Sequence, residues 1–155
     1  MSRSGDRGVE GNRHPHAELI AELHRRQADM YAGGPVEPVI ALLSENVVWH
    51  VPGTSPIAGD HRGPDAVLRY FVLRRELARD SMRMHERDTL IDGDVVVQLV
   101  DGTAELHGHP CRWRTVGVYR VHDGRIAEVW LVPLELDHFD RIWTPRTPDQ
   151  PGSQA

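Results

Sequence analysis

Proton chemistry near neutral pH needs a group that titrates there, and histidine is the side chain that does so unaided. The chain carries ten histidines in 155 residues. His61 stands in Ala58-Gly59-Asp60-His61-Arg62-Gly63, between a strand and a helix. There it serves as acid or base at a pocket mouth, or it packs its own loop. His50 has the same chemistry but alternates out of phase with Trp49 and Val51, so it faces the other side of its strand. Tyr119 offers a hydroxyl to a developing oxyanion. Gln27, Gln98 and Thr115 can orient a carbonyl, or satisfy one another in a buried network. Asp137 and His138 either close over the mouth or lie on a solvated helix face. Neutral amides are poor bases, so no acid–base pair is legible among these residues.

Other chemistries find less support. His85, His107 and His109 lack the spacing of a metal site. Cys111 is the single cysteine, so no intrachain disulfide forms, and it reads as a small buried apolar residue. No glycine-rich phosphate loop or nucleophile elbow appears. The row Arg69, Arg74, Arg75 and Arg79 reads as a solvated helix face. A net charge of −5 argues against a general nucleic-acid binder. No stretch approaches the ~18 apolar residues of a membrane span. The first residues lack the apolar core of a secretory signal, so a cytoplasmic location is expected.

The positioning elements follow from periodicity. Residues 1–14 and 145–155 read as loose tails around one domain at 15–144. A helix opens at Pro15 with Ile20, Leu23, Gln27, Met30 and Tyr31 on one stripe, and stops at Gly33-Gly34-Pro35. A short second helix carries Val39, Ile40, Leu42 and Leu43. Asn46–Val51 reads as a strand. A third helix opens at Pro64 and buries Val67, Leu68, Phe71 and Val72. Strands are expected at Met82–Ile91, Val95–Glu105, Cys111–Val121 and Ile126–Val132, joined by glycine turns. Leu134–Trp143 reads as a short helix or lid. Helices followed by a meander make an α+β pattern.

Alternation points Trp49 and Val51, Gln98 and Val100, Trp113, Thr115, Gly117 and Tyr119, and Val129 and Leu131 inward. Trp49, Trp113 and Tyr119 then stack on a ring-bearing ligand or fill the core. Val97, Leu99, Val116, Val118 and Trp130 share the outer face with Asp101, Arg114 and Glu128. That face suits a homodimer.

The ordered phrases Trp49-His50-Val51-Pro52-Gly53, Ala58–Gly63 and Asp123-Gly124-Arg125-Ile126-Ala127-Glu128-Val129-Trp130 resemble the SnoaL-like branch of the nuclear transport factor two-like superfamily. The likeness covers about residues 17–143. It implies a conical barrel: a strongly bent antiparallel or mixed sheet packed on about three N-terminal helices, enclosing one apolar pocket. It also implies no organic cofactor and often a homodimer through the outer sheet face. Fold alone does not give function. The aspartate base of ketosteroid isomerase falls at Val51, its helix-one tyrosine at Gln27 and its protonated aspartic acid at Gly117. The arginine and two aspartates of limonene epoxide hydrolase fall about at Gln98, Val100 and Leu131. Neither apparatus carries over.

The expectation is a cofactor-independent enzyme that cyclises, isomerises or dehydrates a hydrophobic, polyketide-like or ring-bearing molecule. His61, Tyr119 and His50 are its candidate catalytic residues. Gln27, Trp49, Val51, Gln98, Val100, Trp113, Thr115, Gly117 and Leu131 are its candidate substrate contacts, with no metal. The alternatives are a non-catalytic carrier and a dimeric interaction domain.

Overall fold

The computed structural model describes residues 14–145. The expected loose tails, apart from His14 and Pro145, lie outside the described residues. His14 caps the first helix: its Nδ1 accepts the backbone N–H of His16 at 3.0 Å, and Pro15 occupies the first turn. Helix α1 (Pro15–Tyr31) buries Ile20, Leu23, His24, Gln27, Met30 and Tyr31. Helix α2 (Glu37–Ile40) is a single turn. Leu42 and Leu43, expected within it, fall in the following turn and in the sheet. Leu42 O accepts from Ile126 N at 2.9 Å, and Leu43 opens strand β1 (Leu43–Val51).

The Ala58–Gly63 segment, expected as a loop, contains a short strand, β2 (Gly59–Arg62). No apolar alternation announces it. The open edge of β1 supplies its partners, pairing Trp49 with His61 and His50 with Asp60. Helix α3 (Pro64–Ala78) buries Val67, Tyr70, Phe71, Arg74 and Ala78. The expected stripe placed Leu68 and Val72 there, but both are only half-buried. Spacings of three and four from Val67 lead through Tyr70, Phe71 and Arg74, so the arginine turns inward.

Strands β3 (Arg83–Asp92), β4 (Val95–Leu106), β5 (His109–His122) and β6 (Arg125–Pro133) form the antiparallel meander. Two turns use left-handed pairs, His107-Gly108 at φ 55° and 81° and Asp123-Gly124 at φ 51° and 74°. Two-residue hairpins favour that geometry. Strand β6 returns parallel to β1, giving the order β2-β1-β6-β5-β4-β3. The sheet stays open between β2 and β3. Register shifts between Glu86 and Thr89 and between Arg120 and Val121 bend it. Helix α1 lies against β3 and β4, and α3 against β1, β2 and β4, so the helices fill the concave side.

Inner and outer faces alternate as the sequence predicts. On β4, Val96, Gln98, Val100, Gly102 and Ala104 are buried; on β5, Trp113, Thr115, Gly117, Tyr119 and Val121 are. Tyr119 folds back across Gly117, where a Cβ would lie 2.6 Å from its Oη. Gly117→Ala is therefore expected to destabilise the fold by about 1–3 kcal/mol. A lowered urea midpoint would show it; an unchanged midpoint would mean that Tyr119 moves aside freely.

Helix α4 (Leu136–Trp143) closes one end of the cone with Phe139 and Trp143 fully buried. Their rings lie 6.3 and 5.3 Å from that of Trp113. Asp140 clamps this helix to the loop after β1. Its carboxylate accepts the N–H groups of Thr54 and Ser55, at 2.9–3.0 Å, and the Thr54 hydroxyl at 3.1 Å. Gly53, at φ 101°, has no side chain to collide with that carboxylate.

Candidate active site

The polar centre of the concave side is His24 on α1, which is 7% exposed. Its Nε2 is 2.6 Å from Gln98 Oε1 on β4. Gln98 in turn donates its Nε2–H to Thr89 Oγ1 at 2.9 Å. That orientation of the amide makes His24 Nε2 the donor and puts the ring proton there. His24 Nδ1 has no hydrogen-bond partner. It faces Glu86 Oε2 at 3.5 Å, within ion-pair distance but without hydrogen-bond geometry. Burial holds the His24 pKa below its ordinary value, against the opposing pull of Glu86, Gln98 and Gln27. The ring is thus neutral at physiological pH, with a basic nitrogen beside a carboxylate that would stabilise its protonated form. Glu86 stands beside the β3 register shift, a feature that re-aims side chains.

His24 and Glu86 line a cleft of about 300 Å³ with Ala28, Tyr31, Met82 and Met84. Tyr119 meets His24 edge-on, with ring centroids 6.3 Å apart. Burial raises the phenol pKa values of Tyr31, Tyr70 and Tyr119, so all three stay protonated. A larger open groove of about 720 Å³ lies beside α4, lined in part by Asp101, Arg112, Trp113, Arg114 and His138. Two of its polar groups are tied up: Arg114 pairs with Asp101 at 3.2 Å, and His138 meets Arg112 O at 2.8 Å. The smaller cleft, bordered by the His24–Glu86 pair, is the better candidate for chemistry.

Behind Tyr31 lies Arg74, expected on a solvated face but only 3% exposed. Its Nη1 donates to Tyr31 Oη at 3.2 Å. Its guanidinium sits 5.3–5.5 Å from the ring centres of Tyr31, Tyr70 and Trp143. No ion pair joins it to a carboxylate among the described residues. Arginine does not shed its proton in proteins. Cation–π contacts return about 0.5–2 kcal/mol each, whereas burying an ion costs several kcal/mol.

The other expected site residues divide between the concave side and the outer face. Gln27 lies one turn beyond His24, 2% exposed, with its Oε1 unpartnered. Gln98 holds His24 and Thr89, so its amide orients the histidine. Trp49 packs on Tyr70 and Phe71 at 6.0 and 5.0 Å, and Val51, Val100 and Thr115 are buried in the same face. Gly117 makes room for Tyr119, and Leu131 is half-buried against the core. Trp113 belongs to the ring cluster beneath α4. His61 is half-buried in β2, where its Nε2 bonds Ile57 O at 3.0 Å and its ring stacks on Tyr70 at 4.7 Å. Cys111, expected buried, is half-exposed near the β4–β5 turn.

His50 lies on the outer face. Its Nδ1 and Nε2 bond Asp60 and Glu128, both at 2.7 Å, and Arg120 pairs with Glu128 at 3.0 Å. Its ring stacks on Trp130 at 5.4 Å. Partial burial pulls the His50 pKa down, but its bonds to Asp60 and Glu128 raise it on balance. With both nitrogens on carboxylates, it is a cationic clamp across β2, β1 and β6. A raised folded pKa stabilises the fold fully below the ordinary value of 6.5 and ceases to as pH rises through the folded pKa. His50→Gln is therefore expected to lower the melting temperature more at about pH 6 than at about pH 8.5. An equal loss at both pH values would show that no charge is involved.

The family model for the SnoaL-like domain matches residues 24–129. The chain belongs to this family. Among curated proteins, none matches. The SnoaL-like domain is similar in structure to Bal32a, from a soil-derived mobile gene cassette. They share 28% identity and a TM-score of 0.72, over 83% of this chain and 98% of that one. It is similar in fold to TerC, crystallised with polyporic acid, at 18% identity and TM-score 0.72, over 83% of this chain and 98% of TerC. A protein from Sinorhizobium meliloti, proposed to be a polyketide cyclase, matches at 18% identity and TM-score 0.58, over 74% of this chain and 93% of that one.

The SnoaL-like domain's central groups, His24, Glu86 and Arg74, are absent from the sequence-based candidates. Two signals were available. His24 stands four residues after Ile20 and three before Gln27, on the buried stripe. Arg74 stands seven after Val67 and three after Phe71. Among the described residues, no group of three or more His, Cys, Asp or Glu is placed to hold a metal ion. No described helix is long and apolar enough to cross a membrane.

Proposed function

We propose that this SnoaL-like domain is a cofactor-independent enzyme that moves a proton beside a carbonyl of a hydrophobic, ring-bearing or polyketide-like molecule. The observation that carries this reading is His24 at the cleft: buried, neutral, anchored through Nε2, with Nδ1 beside Glu86 and without a hydrogen bond. Nδ1 takes the proton from the carbon next to the carbonyl, and that C–H pair becomes the C=C bond of an enolate. Glu86 stabilises the imidazolium formed. Tyr119, held protonated by burial, supplies a hydroxyl beside His24 for the enolate oxygen. Returning the proton to another carbon gives isomerisation. Attack of the enolate carbon on a second carbonyl, whose oxygen takes the His24 proton, gives cyclisation; loss of a β-hydroxyl that takes the His24 proton and leaves as water gives dehydration. These steps need no cofactor. His50 has both ring nitrogens in structural bonds, and His61 has its Nε2 in one.

Two fold neighbours are consistent in kind: one was crystallised with polyporic acid, and one is proposed to be a polyketide cyclase. A homodimer through the outer sheet face is part of the proposal. It is supported by the half-buried Val97, Leu99, Val116, Val118 and Trp130 on that face.

The test uses 2-tetralone, a bicyclic ketone with acidic α-protons, in deuterated buffer followed by NMR. Faster incorporation of deuterium with the protein than without it is the expected result. Binding without exchange would turn the reading to a carrier.

A further inference from the structure

Arg74 is a buried cation whose protein partners are all neutral. Tyr31 accepts one of its bonds, and the faces of Tyr31, Tyr70 and Trp143 surround it. Its Nε has no hydrogen-bond partner. Trp143 Nε1 has none either, and among the described residues the only groups that Tyr70 Oη meets are the neutral Trp49 indole and Arg74 itself. The four lie in one connected cluster, because Tyr70 and Trp143 each lie 5.3 Å from the guanidinium and Trp49 is 6.0 Å from Tyr70. Each carries a hydrogen to donate. A buried, positively charged wall whose acceptors are neutral tyrosine hydroxyls is the complement of an anionic oxygen.

We propose that Arg74 is a substrate-binding residue and that the site takes an apolar ring compound bearing an anionic oxygen, a carboxylate or an ionised enol. This names the substrate class of the His24 site and rests on that reading. Tyr31 connects the two: it lines the cleft with His24 and accepts the Arg74 bond. The ligand's ring lies against Tyr31, Met82 and Met84 in the cleft, and the guanidinium bonded to Tyr31 answers its charge. An enolate formed at His24 gains stabilisation from the same cation.

The probes are 2-naphthoate and its neutral isostere 2-naphthamide, with binding followed by quenching of tryptophan fluorescence. The wild type is expected to bind the carboxylate about tenfold or more tightly than the amide. Arg74→Met is expected to abolish that preference, and Arg74→Lys, which keeps the charge but not the planar fork, to reduce it. No preference in the wild type overturns the proposal, as does a preference that survives in R74M. Should R74M not fold, an undiminished preference in R74K overturns it. His24→Gln separates the two readings. It is expected to keep the carboxylate preference while losing proton exchange. Preference without exchange in the wild type removes the His24 reading alone; exchange without preference removes only the role of Arg74.

Discussion

Replacing His24 with glutamine is expected to slow turnover about a thousand-fold, the middle of the range for loss of a general base. Glutamine keeps a polar group that can reach Gln98, so the fold is retained and the loss falls on the chemical step. The measurement is kcat for deuterium exchange into 2-tetralone, with KM little changed. A loss of less than about threefold would remove His24 from the mechanism. The pH dependence follows from the same burial. Only the neutral ring is a base, so the rate rises through a pKa below 6.5 and is level by neutrality. Glu86 holds that pKa up, so Glu86→Gln is expected to move the rise to lower pH. Folding stability has a matching sign. Because the folded pKa lies below the unfolded one, His24 costs stability as pH falls below 6.5, opposite to the clamp at His50.

Trp143→Ala is expected to destabilise the protein by about 3–5 kcal/mol. The indole is fully buried and joins Trp113, Phe139 and Arg74. Removing it leaves a large cavity and takes away one of the aromatic faces on the guanidinium. The Asp140 bonds to Thr54 and Ser55 would hold α4 near its place, so the surroundings cannot collapse fully to fill the gap. Urea unfolding reads the change, with the slope unaltered if the denatured state is unaffected. A loss under about 1 kcal/mol would mean that the helix contributes little to the core.

Much of the fold was legible because strands and turns are local. Alternation from Val95 to Val132 placed Gln98, Trp113, Thr115 and Tyr119 on the concave face, and the glycine turns set the hairpins. Strand β2 was not legible, since Gly59-Asp60-His61-Arg62 has no apolar pattern and forms only against the edge of β1. The site was harder to read for a different reason. His24 and Arg74 occupy buried stripe positions, but their residue types suggest solvent, and type outweighed spacing. The pairing of His24 with Gln98 and Glu86 joins positions 74 and 62 residues apart, which only the packed sheet brings together. Likewise, His50 showed its outward direction in sequence. Its clamp between Asp60 and Glu128 needed the registers of three strands.

The central claim is that His24 is a neutral base with its proton on Nε2 and an unprotonated Nδ1 beside Glu86. Nitrogen-15 NMR of the His24 ring near pH 7 tests it without any substrate. The account predicts a neutral ring, a protonated Nε2 bonded to Gln98 and an unprotonated Nδ1, with the ring charging only below 6.5. A ring that is already an imidazolium at neutral pH, or one protonated on Nδ1 alone, would contradict it.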